Sequence, residues 1–322
     1  MSTTHIFSQS GNGFKQSPLF QELILATSAE SQYSISKELL CKYLDLDITE
    51  MQLYRITTHY GEALAPILEK AKSLHPLSDD KECLYAMADG SFLLTREDSW
   101  KETKLGRIFR EKDCSHIEGK ANTIKASQYV SHLGDCKKFT AKMDVVLDDY
   151  GQLNERLIFI TDGAKWLKNW MEDAYPKAIC ILDYYHAKEY LCAFAKEYFS
   201  NDIARHTWIN QQETLLLESQ TQQVIDEIYT LNKTTQLETG IKVIEYYSSN
   251  INRMKYAYYK TIGKGIIGSG AMESAHKTVI QCRMKLSGQR WSNKGAAKML
   301  HLRTIKMNKQ WKEVIKLIKN AA

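Results

Sequence analysis

The chain has 322 residues, 43% hydrophobic and 25% charged, an ordinary globular composition with room for one sizeable core and an accessory domain or two. No stretch approaches the ~20 apolar residues of a membrane helix, and residues 1–18 have no apolar signal-peptide core; seven cysteines, odd in number and without a C-x-x-C pair, fit a reduced compartment and argue against a zinc site. The net charge of +5 is unevenly spread: from Lys277 onward twelve Lys or Arg face a single acid, Glu313, so the remainder is net acidic and the C-terminal arm suggests a polyanion partner or a solvated helix face.

After a loose leader rich in Ser, Gln, Gly and Thr (1–18), residues 19–80 read as a helical unit. Its amphipathic stretches are Leu19–Leu25, Ile35–Leu44 and Thr49–Ile56, with Thr49 as N-cap. The last two resemble a helix-turn-helix, with Arg55 and His59 as candidate base readers. From Cys83 the period changes to that of strands, predicted at Cys83–Asp89, Ser91–Thr95 and Glu102–Glu111. A helix over Lys137–Tyr150, a strand over Arg156–Thr161, helix 164–172, a strand over Ala178–Leu182 and helix 185–199 follow. The order β-β-β-α-β-α-β-α is that of an RNase H-like mixed α/β core, here residues 81–200. Residues 201–262 carry helical spacing and form a helical insertion; 263–291 return to the core with its final helix, and 292–322 are basic C-terminal helices.

Three carboxylates stand out against this layout. Asp89 and Asp162 each end a short apolar run and precede a Gly, and Glu273 opens a helical pattern after a Gly-rich break. Each has an ordinary structural use, as a hairpin turn, a helix N-cap and a dipole partner respectively. Together they lie where one fold would gather them at a sheet edge, an all-oxygen set suited to Mg²⁺ or Mn²⁺. Two such ions about 4 Å apart serve phosphoryl transfer. Asp183 and His186 form an Asp-x-x-His pair beyond the fifth predicted strand, either an N-cap with a partly buried His or a device that positions a phosphate. Gly263-Lys264-Gly265-Ile266-Ile267-Gly268 matches G-x-G-x-x-G, but no apolar strand precedes it, so a dinucleotide site is rejected. Upstream, Arg253, Lys255, Tyr256, Tyr258, Tyr259 and Lys260 mix cations and aromatics, suited to nucleic-acid contact or to the insertion's own core.

The ordered motifs Ala88-Asp89-Gly90-Ser91, Gly106-Arg107, Thr161-Asp162-Gly163-Ala164, Leu182-Asp183-Tyr184-Tyr185-His186, Gly268-Ser269-Gly270 with Glu273 and Lys277, and Arg283-Met284-Lys285 with Arg290-Trp291 resemble bacterial insertion-sequence transposases of the DDE class, in the helical-insertion branch related to Mutator-like elements. The resemblance spans about residues 19–300. It implies a catalytic triad of Asp89, Asp162 and Glu273 holding two Mg²⁺ ions, with Mn²⁺ as substitute, and Asp183/His186 as an accessory motif. It further implies cleavage and strand transfer at element ends, double-stranded DNA (ends and target) as partner, no membrane, a homodimer or larger assembly on DNA, and a cytoplasmic, nucleoid-associated place in bacteria. Arg55, Arg253, Lys255, Lys277, Arg283, Lys285, Arg290, Trp291 and Lys294 are the expected DNA contacts. The alternatives are a domesticated, non-catalytic DNA-binding protein and an RNase H-like nuclease or resolvase without strand transfer.

Overall fold

The computed structural model describes residues 13–115 and 123–320. Of the expected leader, 1–12 lie outside the described residues, and the rest is packed: Phe14 meets the His59 ring edge-on at 5.2 Å, and Ser17 Oγ accepts the Phe20 N–H at 3.3 Å. That cap, with Pro in the first turn, starts α1 (Pro18–Glu30). Helices α2 (Tyr33–Leu44), α3 (Glu50–Ala63) and α4 (Ala65–Glu69) complete the N-terminal unit, α3 opening on a capping box between Thr49 and Gln52. Ile24, Leu25, Leu40, Leu53, Ile56 and Tyr60 are buried at helical spacing.

The central sheet is built from β1 (Leu84–Leu94), β2 (Trp100–Arg110), β5 (Gln128–Leu133), β6 (Leu157–Thr161) and β7 (Ile179–Leu182), in the order β5-β2-β1-β6-β7. A two-residue pair, β3 (Cys114–Ser115) and β4 (Thr123–Ile124), lies outside it. β1, β2 and β5 pair antiparallel, whereas β6 runs parallel to β1 and β7 parallel to β6. Crossovers through α5 (Cys136–Asp148) and α6 (Lys165–Ala174) join the parallel members, and α7 (Tyr184–Tyr198) leaves β7. Side chains alternate across the sheet. Leu84, Ala86 and Ala88 pack with Phe139, Met143 and Trp170 of the α5/α6 layer, while Tyr85, Met87, Ile158 and Ile160 join the larger core on the other face.

Two strand expectations are corrected. Cys83–Asp89 and Ser91–Thr95 do not flank a turn; they form one strand, β1, whose register with β2 runs unbroken from Leu84↔Arg110 to Leu94↔Trp100. The hairpin turns later, where the Thr95 N–H reaches Ser99 O at 2.7 Å. At Gly90 the flexible end of Glu102 lies where a Cβ would stand, so a larger residue there would require that carboxylate to swing aside. The third antiparallel strand is instead β5, whose polarity hid it. Its buried Gln128 Nε2 donates to Lys72 O at 2.9 Å, and its Ser131 hydroxyl pairs with that of Thr304 at 2.6 Å.

Residues 201–250 are helical as read, in α8 (Asp202–Leu217), α9 (Thr221–Thr235) and α10 (Glu238–Asn250); a short α11 (Tyr256–Tyr259) follows. The chain returns through α12 (Gly270–Ala275), a π-helical turn (His276–Gln281) and α13 (Cys282–Met284). Helices α14 (Asn293–Met307) and α15 (Trp311–Asn320) end the described chain. They are no free arm. Arg303 is 1% exposed and donates to Ala29 O at 2.9 Å, tying α14 to the last turn of α1. Among the described residues no helix is long and apolar enough to cross a membrane.

Candidate functional site at the end of the parallel strands

The last register pair between β1 and β6 is Met87↔Ile160. Two residues further along each chain stand Asp89, within β1, and Asp162, just past the end of β6; strand alternation puts both on the same face, and the Asp89 charge acts on the Asp162 carboxyl. β6 stops at Thr161 while β1 continues against β2, so the pair lies at the notch where the sheet narrows. The chain turns sharply after Asp162 because Gly163 adopts φ +85°, and a Cβ there would press on Leu182 and Tyr246. Asp162 Oδ1 accepts the Ala164 N–H at 3.0 Å, and its main-chain oxygen accepts the Tyr246 hydroxyl at 2.6 Å. Burial pushes the Asp162 carboxyl above the usual range and the Asp89 charge adds to the rise, against the Ala164 N–H, His186 and Arg253. Burial first, then the Asp162 charge, also raise the Tyr246 phenol, which keeps it a donor at ordinary pH.

Asp89 is the wetter partner, its side chain 43% exposed and its Oδ2 3.4 Å from His276 Nε2. Burial lowers the Lys285 ammonium while the charge of Asp89 acts the other way, so Lys285 shares this end of the sheet. Glu273 sits in the first turn of α12 and is exposed. Two residues aim that helix. Asp183, 5% exposed, caps α7 through the Tyr185 N–H at 2.9 Å, takes the Ser269 N–H at 3.2 Å and also accepts the Ser269 hydroxyl, all just ahead of α12. Arg107, buried in β2, donates to Ala271 O at 2.6 Å and to Ser127 Oγ at 2.9 Å. His186 pairs through Nδ1 with Glu189 at 3.2 Å and meets Tyr190 and Tyr246 edge-on, those two tyrosines stacking at 4.1 Å.

Of the expected triad, then, the two aspartates meet and Glu273 does not join them: among the described residues no group of three or more His, Cys, Asp or Glu is gathered tightly enough to hold a metal ion. His276, one turn beyond Glu273, takes the place against Asp89. The residues that fit a hard cation are Asp89 and Asp162, like charges that a cation would reconcile, with Glu273 one turn away from His276 on the same helix.

Three expected DNA contacts are corrected. Arg253 is 6% exposed and spans Thr161 Oγ1 at 2.5 Å and Asn250 Oδ1 at 3.2 Å. Arg283 is fully buried, donating to Ser28 O at 2.7 Å between the rings of Tyr33 and Trp291, each 5.1 Å from its guanidinium. Trp291 is itself buried, its Nε1 donating to Met284 O at 3.0 Å. These groups hold the protein together; burial keeps them from a phosphate. Arg55, Lys255, Lys277, Lys285, Arg290 and Lys294 are exposed. His276 and Tyr246 were not singled out from the sequence. Only the three-residue step from Glu273 hinted at the first, and nothing local marks the second.

The fold is a mixed α/β one with a paired-aspartate edge at its parallel strand ends. Residues 30–319 match UPF0236, an uncharacterised protein family, and the chain belongs to that family. Comparison with curated proteins gave no match.

Proposed function

We propose that this chain is a DDE transposase of the insertion-sequence kind, cleaving DNA at element ends and joining the freed 3′-hydroxyl to target DNA. The observation that carries the reading is Asp89, within β1, beside Asp162, just past the end of β6, with the start of the Glu273 helix tied by Asp183 and Arg107. The sheet order, three antiparallel strands followed by two parallel crossovers, supports an RNase H-like core. Asp89 and Asp162 would hold divalent cations, Mg²⁺ or Mn²⁺, completed by Glu273; bound there, such ions supply charge for the attacking and leaving oxygens. Tyr246 and Gly163 fix the main chain of Asp162, and the Asp183–Ser269 latch sets the approach of Glu273. Lys255, Lys277, Lys285, Arg290, Lys294 and Arg55 present charge for double-stranded DNA, with two or more copies assembling on it. A nucleoid-associated place in the bacterial cytoplasm goes with this reading.

A second reading, a domesticated DNA-binding protein without chemistry, is favoured by the separation of Glu273 from the aspartates. One experiment separates the two. The protein is incubated with the DNA that flanks its own gene, a target plasmid and Mg²⁺. The enzyme gives end cleavage and joined products, and Asp162→Asn lowers both by about 1,000-fold or more, the scale of several kcal/mol of charge stabilisation. Binding without cleavage favours the second reading. Cleavage without joining identifies a nuclease or resolvase, and cleavage undiminished in Asp162→Asn removes the aspartate pair from the chemistry.

A further inference from the structure

His276 is out of place as a structural residue. It is 3% exposed, and neither ring nitrogen has a hydrogen-bond partner. Buried polar atoms in folded proteins are almost always paired, and an exception calls for strain, a functional role, a water or an ion. Here Nε2 makes no hydrogen bond yet stands within ion-pair reach of a carboxylate, 3.4 Å from Asp89 Oδ2. Two donors that each lie ~2.1 Å from one ion stand on the order of 3 Å apart, which matches that separation. The residue also begins the π-helical turn, a device that recurs at functional sites and re-aims side chains relative to an α-helix.

We infer that His276 Nε2 is a ligand to the cation bound at Asp89, so the site is a mixed nitrogen–oxygen one that favours Mn²⁺ over Mg²⁺. Mg²⁺ takes oxygen donors almost exclusively, whereas an imidazole nitrogen adds affinity for the first-row divalent ions, of which Mn²⁺ gains the least but still gains over Mg²⁺. The inference rests on the metal-site reading of the aspartate pair and deepens it. It also alters the all-oxygen set drawn from the sequence.

The test is Mn²⁺ alone added to the full chain, read by electron spin-echo envelope modulation. A directly bound imidazole imprints ¹⁴N modulation on the Mn²⁺ signal. The expected result is such modulation in the wild type, its loss in His276→Gln, and Mn²⁺ binding weaker by about tenfold or more in that variant, since even outer-sphere partners of metal sites carry effects of ~10–100-fold. Growing the wild type on ¹⁵N-histidine changes the modulation frequency without any substitution, which keeps the test open if His276→Gln fails to fold. Mn²⁺ that binds, is lost in Asp89→Asn and shows no nitrogen modulation overturns the His276 assignment and leaves the proposed function standing. Mn²⁺ binding that Asp89→Asn leaves untouched overturns both.

Discussion

Asp162 and Glu273, both members of the proposed site, are held in opposite ways. Around Asp162 everything is fixed by the helical insertion and its return. The Tyr246 hydroxyl grips the aspartate's own carbonyl, Gly163 is wedged beneath that ring, and Arg253 pins the hydroxyl of Thr161. Around Glu273 only the helix is held, through Ser269 and Ala271; the carboxylate itself has no hydrogen bond or ion pair among the described residues. Half of the candidate site is therefore built into the core, and the other half is delivered by a helix start that stays solvated. In the proposed cation site, one carboxylate is thus preorganised and the other adjustable.

The largest effect expected from this contrast is on folding. Arg253→Met removes a buried guanidinium that satisfies Thr161, Asn250 and the Ile181 carbonyl, and hydrogen bonds to charged groups are worth ~1.5–3 kcal/mol. Denaturant unfolding should show a loss of about that size, whereas a change near zero would mean the insertion braces nothing. Next comes a matched pair. Tyr246→Phe keeps the ring stack with Tyr190 and loses the bond to Asp162, so stability should fall by ~1 kcal/mol. Glu273→Gln, at an exposed carboxylate without a protein partner, should stay within ~0.5 kcal/mol of wild type. Equal losses in the two variants would erase the distinction between a built half and a delivered half.

The smallest effect has a defined sign. Folding raises the Asp162 pKa above its unfolded value, chiefly through burial, so the native state binds that proton more tightly. Stability linked to this group is fully present below the unfolded pKa and is lost as pH rises through the raised folded one. Asp162→Asn, which has no charge to bury, should therefore melt at a higher temperature than wild type at neutral pH, with the gap closing as pH falls through the carboxylate range. A gap that widens on acidification would reverse the assignment. Such a gain would mark Asp162 as a residue kept at the expense of stability.

The helices and the parallel strands were legible because their signals are local. Leu157–Thr161 and Ile179–Leu182 are short apolar runs, each followed by an aspartate at the strand end, and Thr49 and Gln52 spell out a capping box. The antiparallel half was read less well because its signals are cross-strand. Asp89-Gly90 has the composition of a turn, and only pairing with Lys104 and Leu105 keeps it extended. β5 buries a glutamine and a serine that find partners 56 and 173 residues away, which no periodicity within Gln128–Leu133 reveals. The basic tail misled for a related reason. Charge was counted along the chain, but Arg283 and Arg303 spend theirs on α1 carbonyls and on aromatic faces. Asp162 was legible as a strand end, whereas Asp89 lies within β1; the burial of Arg253, and the imidazole against Asp89, had no sequence signal.

The π-helical turn at His276–Gln281 has a consequence for how this segment tolerates change in length. A π turn holds one residue more than the α-helix around it. Deleting one residue there would let the segment relax into continuous α geometry with the helix on either side kept nearly in phase, so Glu273 would hold its direction relative to Arg283, which is anchored against Ser28. The acid and the anchor would keep their places, while the residues inside the turn, His276 foremost, would lose theirs. The stretch is a place where the chain has one residue of slack: a one-residue deletion is expected to leave the flanking helix in step and to re-aim only the side chains of the turn itself.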